Sequence, residues 1–429
     1  SSTDMAIRIM SLVTIIVSMV TFSGGIIAYV ASWLSSFFDR SEEGTHKLFV
    51  YDHILILNWN IKALELIADY ASAKGAIDVV VVSEHDRKTI EESIANRLYE
   101  SKKEGQTNRI NVIVIKGNVF SKQVLDRVCL ASAKSVIILS DVKGVPSAKG
   151  HNADINALKT LMLVTKLSTN PEQTVIVEVT TDETRHLILE QICLDQTDKT
   201  RVIPLLSDEL MGKLISQILV SPALVQVYSQ LMVTDGAEFY PTDQFDPLEF
   251  AKTHDHAIPI YQSTNKLYAI AEKHEDIHKV RKEPLTAIPE VKIAARTETR
   301  PISLEKKKKN NKLHFILDSM RALEDDCNIK SKVTLIESDD VETIKKSIAD
   351  IPTIDTILLL SDEHLPKDEL DSKVLITLLL IQDIEKLKHA NVIVELLDPR
   401  HLDIAQSYRI QHTLISNRYI SHMMAHISK

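Results

Sequence analysis

Glycine is scarce in this chain, 10 residues in 429 against a usual share of about 7%, and that counts against any fold built on several glycine-rich phosphate loops. Cysteine is scarcer still: Cys129, Cys193 and Cys327 cannot build a disulfide framework and fit a reducing compartment. Positive charge is not in excess either. A net charge of −9 and a pI near 6.0 leave no basic footprint, which removes the electrostatic case for a nucleic-acid partner. No GxSxG elbow, CxxC pair or Walker loop occurs. What is present is ordinary packing material, 44% hydrophobic and 25% charged, which excludes a disordered or collagen-like chain. At 48.3 kDa the chain calls for about two or three domains.

The N-terminus departs from this average. Between Arg8 and Asp39 lie 30 consecutive residues without a charge, IMSLVTIIVSMVTFSGGIIAYVASWLSSFF. At about 1.5 Å rise per residue that run is more than enough to cross a hydrocarbon layer of about 30 Å. It reads as one transmembrane helix, with Tyr29, Trp33, Phe37 and Phe38 suited to an interfacial aromatic belt and Gly24–Gly25 placed to permit a bend. A signal peptide is the weaker reading, because the run is too long and ends in bulky aromatics. Flanking charges are mixed, so they do not orient the span.

From Tyr51 onward, short β-branched runs alternate with helical stretches, the pattern of a parallel sheet with crossover helices. Strands are expected at His53–Leu57, Asp78–Val82, Asn111–Ile115, Ser135–Leu139, Thr174–Val179 and Arg201–Ile203, giving a six-stranded doubly wound domain. The script then recurs after Lys312. TIEESIA (Thr89–Ala95) returns as TIKKSIA (Thr343–Ala349), VIILSD ending at Asp141 as ILLLSD ending at Asp362, and VIVEVTTDETRHL (Val175–Leu187) as VIVELLDPRHL (Val392–Leu402). The period, about 215–255 residues, points to an internal duplication whose first copy has the longer loops. YPTDQF, AIPIYQ and KLYAIAEK read as short strands of a small intervening segment, and the lysine-rich stretch before Lys312 as a solvated connector.

These motifs carry a resemblance. HILILNWN after the membrane helix, VVVVSEHDRKTIEE, GNVFSKQVLDRVCLASAKSVIILSD, VIVEVTTDETRHL, and DELMGKLISQILVSPALVQVYSQLM followed by GAEFY are similar to the RCK (regulator of potassium conductance) gating-ring channels, and among them to the CASTOR/POLLUX branch. The resemblance implies an α/β fold: a pore-lining helix in 1–40, a linker in 41–50, a first Rossmann-like RCK domain in 51–204, a helix crossover and small α+β subdomain in 205–280, a charged linker in 281–312 and a second RCK domain in 313–429. It further implies a membrane protein with cytosolic C-terminal domains, a homotetramer with a permeant cation, potassium-related, no enzymatic activity, and Gly24–Gly25 as the gating hinge. The 429 residues contain no TVGYG-like filter and no outer helix, so the pore region is expected upstream of Ser1. A membrane-tethered nucleotide-sensing subunit of a separate ion transporter is the alternative.

In a doubly wound sheet, ligands bind at the carboxyl ends of the strands, and the first βα turn normally carries GxGxxG. Here that turn is Asn58-Trp59-Asn60-Ile61-Lys62-Ala63, without glycine, so close diphosphate approach is disfavoured. Glu84 stands where a ribose hydroxyl would be bound, and Gly117-Asn118 and Ser140-Asp141 follow the next strands at the same edge. A nucleotide, NAD- or adenine-nucleotide-like, and an empty structural fold compete equally for this reading. In the second copy the first turn is read as Asp318-Ser319-Met320, followed by Glu337 after the next strand, and that copy as mainly structural. Calcium is the other ligand class such rings use, and Asp141, Asp154 and Glu178 are the candidate oxygens, with scattered surface carboxylates the blander account.

HEDIH (His274–His278) formally matches HExxH, but it follows a strand-like run, is soon broken by Pro284 and lacks a third ligand. Leu210, Leu214, Ile215 and Ile218 recur at helical spacing, and by the resemblance form an assembly interface with a neighbouring unit. SHMMAHIS at the chain end resembles the start of the same element, truncated or abbreviated.

Overall fold

The computed structural model describes Met10 and residues 47–428, apart from 73–75, 104–109, 141–150, 194–199, 232–236, 245, 263–265, 282–299, 306–310, 328–330, 337–340, 362–370, 383, 388, 408–409 and 411. Among the described residues no helix is long and apolar enough to cross a membrane. The expected span, with Gly24 and Gly25, lies outside them except for Met10.

The first unit is a six-stranded parallel sheet, β1 (Ile54–Leu57), β2 (Ile77–Ser83), β3 (Ile110–Lys116), β4 (Ser135–Ile138), β5 (Thr174–Val179) and β6 (Arg201–Leu206), in spatial order 3-2-1-4-5-6. That is the doubly wound order expected when each strand is followed by a right-handed crossover. Its crossover helices are α1 (Ile61–Ser72), α2 (Arg87–Lys103), α3 (Lys122–Arg127), α4 (His151–Leu167) and α5 (Asp182–Ile188). Strand side chains alternate between faces: Ile54 and Ile56 pack towards α1 and α2, Leu55 and Leu57 towards α3 and α4. After β6 come α6 (Ser207–Val220) and α7 (Leu224–Leu231), then a three-stranded antiparallel sheet of β7 (Glu238–Thr242), β8 (Ala257–Gln262) and β9 (Leu267–Ala271), with α8 (Pro247–Thr253) between β7 and β8.

The second unit is a five-stranded parallel sheet: β10 (Arg300–Glu305), β11 (Ser331–Ile336), β12 (Thr356–Leu359), β13 (Asn391–Leu396) and β14 (His412–Ile415), ordered 11-10-12-13-14. Its helices are α9 (Asn311–Cys327), α10 (Val341–Asp350), α11 (Ser372–Gln382), α12 (Leu402–Ser407) and α13 (Ser416–Ser428). Three sequence readings are corrected here. The central strand β10 comes from the stretch read as a connector, and Lys312, read with the solvated lysines, is fully buried. Asp318-Ser319-Met320 is not a βα turn but the middle of α9. The shorter period of the second copy reflects more than short loops, because the outer strand and helix corresponding to β3 and α3 have no counterpart in the five-stranded sheet.

The two units exchange helices reciprocally. The helix after β6, α6, packs on α9 of the second unit, and the helix after β14, α13, packs on α1 of the first. One continuous core therefore holds Ile56, Leu66 and Ile137 from the first unit together with Ile316, Leu358 and Met424 from the second. At about 1.5–3 kcal/mol for each large apolar side chain buried, this shared core joins the two units. Gly212 makes the approach possible: a Cβ there would stand 2.5 Å from Cβ of Phe315. On the other side Tyr70 and Ser428 share a hydrogen bond of 2.5 Å, Ser421 Oγ donates to Lys62 O at 2.9 Å, and His422 Nδ1 lies 3.2 Å from the Asp69 carboxylate.

Candidate functional site

The carboxyl ends of β1 to β5 form the edge where a doubly wound fold takes its ligands. The first turn there is built from side chains instead of glycines. Asn58 sits at φ 75, the left-handed region that asparagine tolerates better than most residues. Its Nδ2 donates to Leu139 O at 2.9 Å, and Asn60 Nδ2 donates to Ser140 O at 3.0 Å, so the turn is tied to the end of β4. Asn60 Oδ1 also accepts from the amides of Lys62 (2.9 Å) and Ala63 (3.2 Å), capping α1. Two amides of the first turn of α1, of the kind that hold an anion at a helix N-terminus, are thus engaged by the Asn60 side chain.

Trp59 is buried beside Asn58, whereas Glu84 and Asn118 are exposed and Gly117 half-buried. Gly117 N donates to Ser83 O at 2.9 Å, and Asn118 Oδ1 accepts from Phe120 N at 2.7 Å, which fixes the turn after β3. Ser140 is buried, and its hydroxyl finds no hydrogen-bond partner among the described residues. Asp141 lies outside them.

Behind this edge lies a group that sequence reading did not assemble. Glu178 accepts from Lys62 Nζ at 2.5 Å, from Ser207 Oγ at 2.9 Å and from the Ser140 amide at 3.0 Å. The carboxylate is 2% exposed and the ammonium 11%, so each charge depends on the other: removing one member of a buried pair typically costs about 3–5 kcal/mol. Asp154 accepts from the amides and hydroxyls of both Thr180 and Thr181, at 2.6–3.0 Å. The two carboxylates offered for calcium are therefore saturated by protein donors, whereas calcium needs about six to eight oxygens of its own. Among the described residues no group of three or more His, Cys, Asp or Glu is placed to hold a metal ion.

The second unit repeats the arrangement. Lys312 Nζ donates to Glu395 at 2.5 Å, with both side chains fully buried, Ser416 donates to the same carboxylate, and the Ser361 amide completes it at 3.3 Å. Asp371 takes the place of Asp154, accepting from the amides of Leu397 and Asp398 and from the Ser361 hydroxyl, with His401 Nδ1 at 3.0 Å. Burial alone would raise the Asp398 carboxyl, but hydrogen bonds and charge from Arg400 together hold it below the ordinary carboxylate range. The signal for these groups was in the repeat itself. Aligning VIVEV with VIVEL superposes Glu178 on Glu395, while Ser207 and Ser416 correspond only structurally, each opening the helix after the last strand of its sheet.

Leu210, Leu214, Ile215 and Ile218 lie on α6, which packs on α9 of the same chain; Ile215 and Ile218 are fully buried there and Leu210 and Leu214 partly. The terminal SHMMAHIS belongs to α13, the counterpart of α6. His274–His278 is a 3₁₀ turn, not an α-helix, so HEDIH does not bring its histidines together one helical turn apart. Its Asp276 instead caps the turn through Lys273 N and binds Lys279 Nζ at 2.6 Å.

The described residues form two doubly wound units that share one core. No family model matches the chain. It resembles the CASTOR/POLLUX ion channels: it is 20% identical to "Probable ion channel CASTOR" of Oryza sativa subsp. japonica across 93% of this chain and 52% of that protein. It is 24% identical to "Probable ion channel POLLUX" of Arabidopsis thaliana across 52% of this chain and 26% of that protein. The chain thus spans about half the length of the CASTOR relative and a quarter of the POLLUX one. The fold is shared with the "GsuK Channel" structure, at TM-score 0.50 and 11% identity over 93% of this chain and 76% of that one.

Proposed function

We propose that this chain is the membrane-linked gating portion of a cation-channel subunit, potassium-related, that assembles as a homotetramer with its two α/β units in the cytosol. The observation that carries this reading is that the likeness to a protein named as an ion channel runs through both units, over 93% of the chain. The shared core supports it mechanically, because two units joined by reciprocal helices respond to a ligand as one lever. Residues 9–38 would be the pore-lining helix and Gly24–Gly25 its bend.

The ligand surface in this reading is the strand-end edge of the first unit, where Glu84, Asn118 and Ser140 would take the sugar of a nucleotide; Asn58 and Asn60 shape the turn, and the capped α1 terminus leaves the phosphates towards solvent. A calcium site would need Asp141 with oxygens other than those of Asp154 and Glu178, which are engaged. A ligand shifts the ring only by its differential affinity for two states, with tenfold worth about 1.4 kcal/mol.

The test is cation flux through the full-length protein in liposomes, with its mass in detergent measured alongside. Potassium-dependent flux from a particle near four chains supports the proposal. A monodisperse monomer, or flux that requires a separate transporter, replaces it with a tethered nucleotide-sensing subunit.

A further inference from the structure

The seam between the two units encloses more than packed side chains. A cavity of about 480 Å³ opens between α7 of the first unit and β14, α12 and α13 of the second. That volume falls within the usual range for a small-molecule site, about 300–1,000 Å³. Among the described residues its walls hold one charge, and none of the described lining residues is a carboxylate. In a chain of net charge −9, a cavity whose one charged lining residue among those described is an arginine is a local exception.

That arginine is Arg418. Among the described residues it makes no salt bridge and no side-chain hydrogen bond, unlike Arg97, Arg185 and Arg400, which all reach carboxylates. A guanidinium presents a rigid fork of five donors matched to a phosphate or carboxylate. A second unmet group stands on the same wall: Thr413 Oγ1 is buried from solvent with no hydrogen-bond partner among the described residues. Leaving such a group unsatisfied costs about 1–3 kcal/mol, a cost that a hydroxyl-bearing ligand or a water would relieve. Around them Gln226, Gln230 and Gln406 supply amides that both donate and accept, while Val225 and Ile415 give an apolar floor.

We infer that this cavity binds a small organic phosphate with a hydroxylated body, its anionic head on Arg418 and its hydroxyls read by Thr413 and the three glutamines. The chemistry excludes two neighbouring classes. A metal cation finds no anionic oxygen here, and a purely apolar ligand would leave Arg418, Thr413 and the amides unmet. The site is distinct from the strand-end edge of the first unit and does not depend on the channel reading. Its position gives it a consequence. Ser229 of α7 and Tyr419 of α13 share a hydrogen bond of 3.0 Å across the seam on its wall, so an occupant touches both units and favours one arrangement of the clasp.

The test is calorimetric titration of the full chain in detergent with AMP, ribose 5-phosphate and glucose 6-phosphate, against adenosine and inorganic phosphate. At least one ester is expected to bind ten times more tightly than inorganic phosphate or adenosine. Arg418→Gln should weaken it tenfold or more, Arg418→Lys should recover part of the loss, and Thr413→Val should weaken it a few-fold. Because neither side chain is bonded to its surroundings, the ligand-free variants should melt no lower than the parent, and that melt separates lost binding from lost folding. Failure of all three esters to bind at millimolar concentration, or equal binding by the parent and Arg418→Gln, overturns the inference. So does a loss on Glu84→Gln with none on Arg418→Gln, which moves the ligand to the strand ends.

Discussion

The two units carry the same cradle in different degrees of closure. A serine hydroxyl sits on the carboxylate in both; in the second, Lys312 and Glu395 are fully buried, whereas in the first the Lys62 side chain keeps 11% of its surface and lies next to a turn held by Asn58 and Asn60. The first unit also keeps β3 and the Gly117-Asn118 turn, for which the five-stranded sheet has no equivalent. One duplicated design buries its lysine completely in one copy and leaves it partly exposed in the other. The same carboxylate–lysine pair serves as internal scaffold in both.

That comparison can be broken by experiment. Lys312→Met strands a fully desolvated carboxylate and should cost about 3–5 kcal/mol in chemical unfolding, and Lys62→Met, next to solvent, less. Equal losses would show that the closure seen at the second cradle has no energetic meaning. Gly212→Ala drives a methyl against Phe315 and should cost about 1–3 kcal/mol by overpacking. Its counterpart in the other arm, Ser421→Ala, removes only the bond to Lys62 O and should cost about 0.5–1.5 kcal/mol. Asn60→Ala, which uncaps α1, belongs in the same small range, about 1 kcal/mol.

A pH effect is expected in both units, because burial lowers the pKa of His53 in the first and of His412 in the second. His53, buried beside β1, has its pKa held below 6.5 mainly by burial, against opposing influences from the Val128 carbonyl, Asp78 and Asp52. The unfolded chain therefore binds a proton that the folded chain refuses. Stability from this residue is complete above pH 6.5 and is lost as pH falls below it towards the folded-state pKa. His53→Leu should flatten the melting temperature between pH 7 and about pH 5; an unchanged slope would assign the acid sensitivity elsewhere.

Much of the first unit was legible because its strands are uninterrupted β-branched runs, and Thr174–Val179 was bounded to the residue. The second unit was blurred at its start for a definite reason. RPISLE offers little apolar signal, and the lysine run after it hides the buried Lys312, so the second copy was read as starting after Lys312, within α9, and its first turn was placed at Asp318-Ser319-Met320. The cradles escaped notice because their members are far apart in sequence: Lys62, Glu178 and Ser207 meet only when the sheet closes. The absence of glycine from the first turn was legible, but what replaces it, asparagine amides bonded to strand carbonyls, is a tertiary fact that no local pattern contains.

The reciprocity of the helix exchange is the point on which the lever rests. Hydrogen exchange measured by mass spectrometry on Gly212→Leu tests it, because the substitution drives a side chain against Phe315 and Ile316 and wedges α6 away from α9. Faster exchange in α1 as well as in α9 is the expected result, since loosening one arm must release the other. Exchange that rises in α9 alone, with Ile61–Ser72 as protected as before, would contradict a clasp that works as one body.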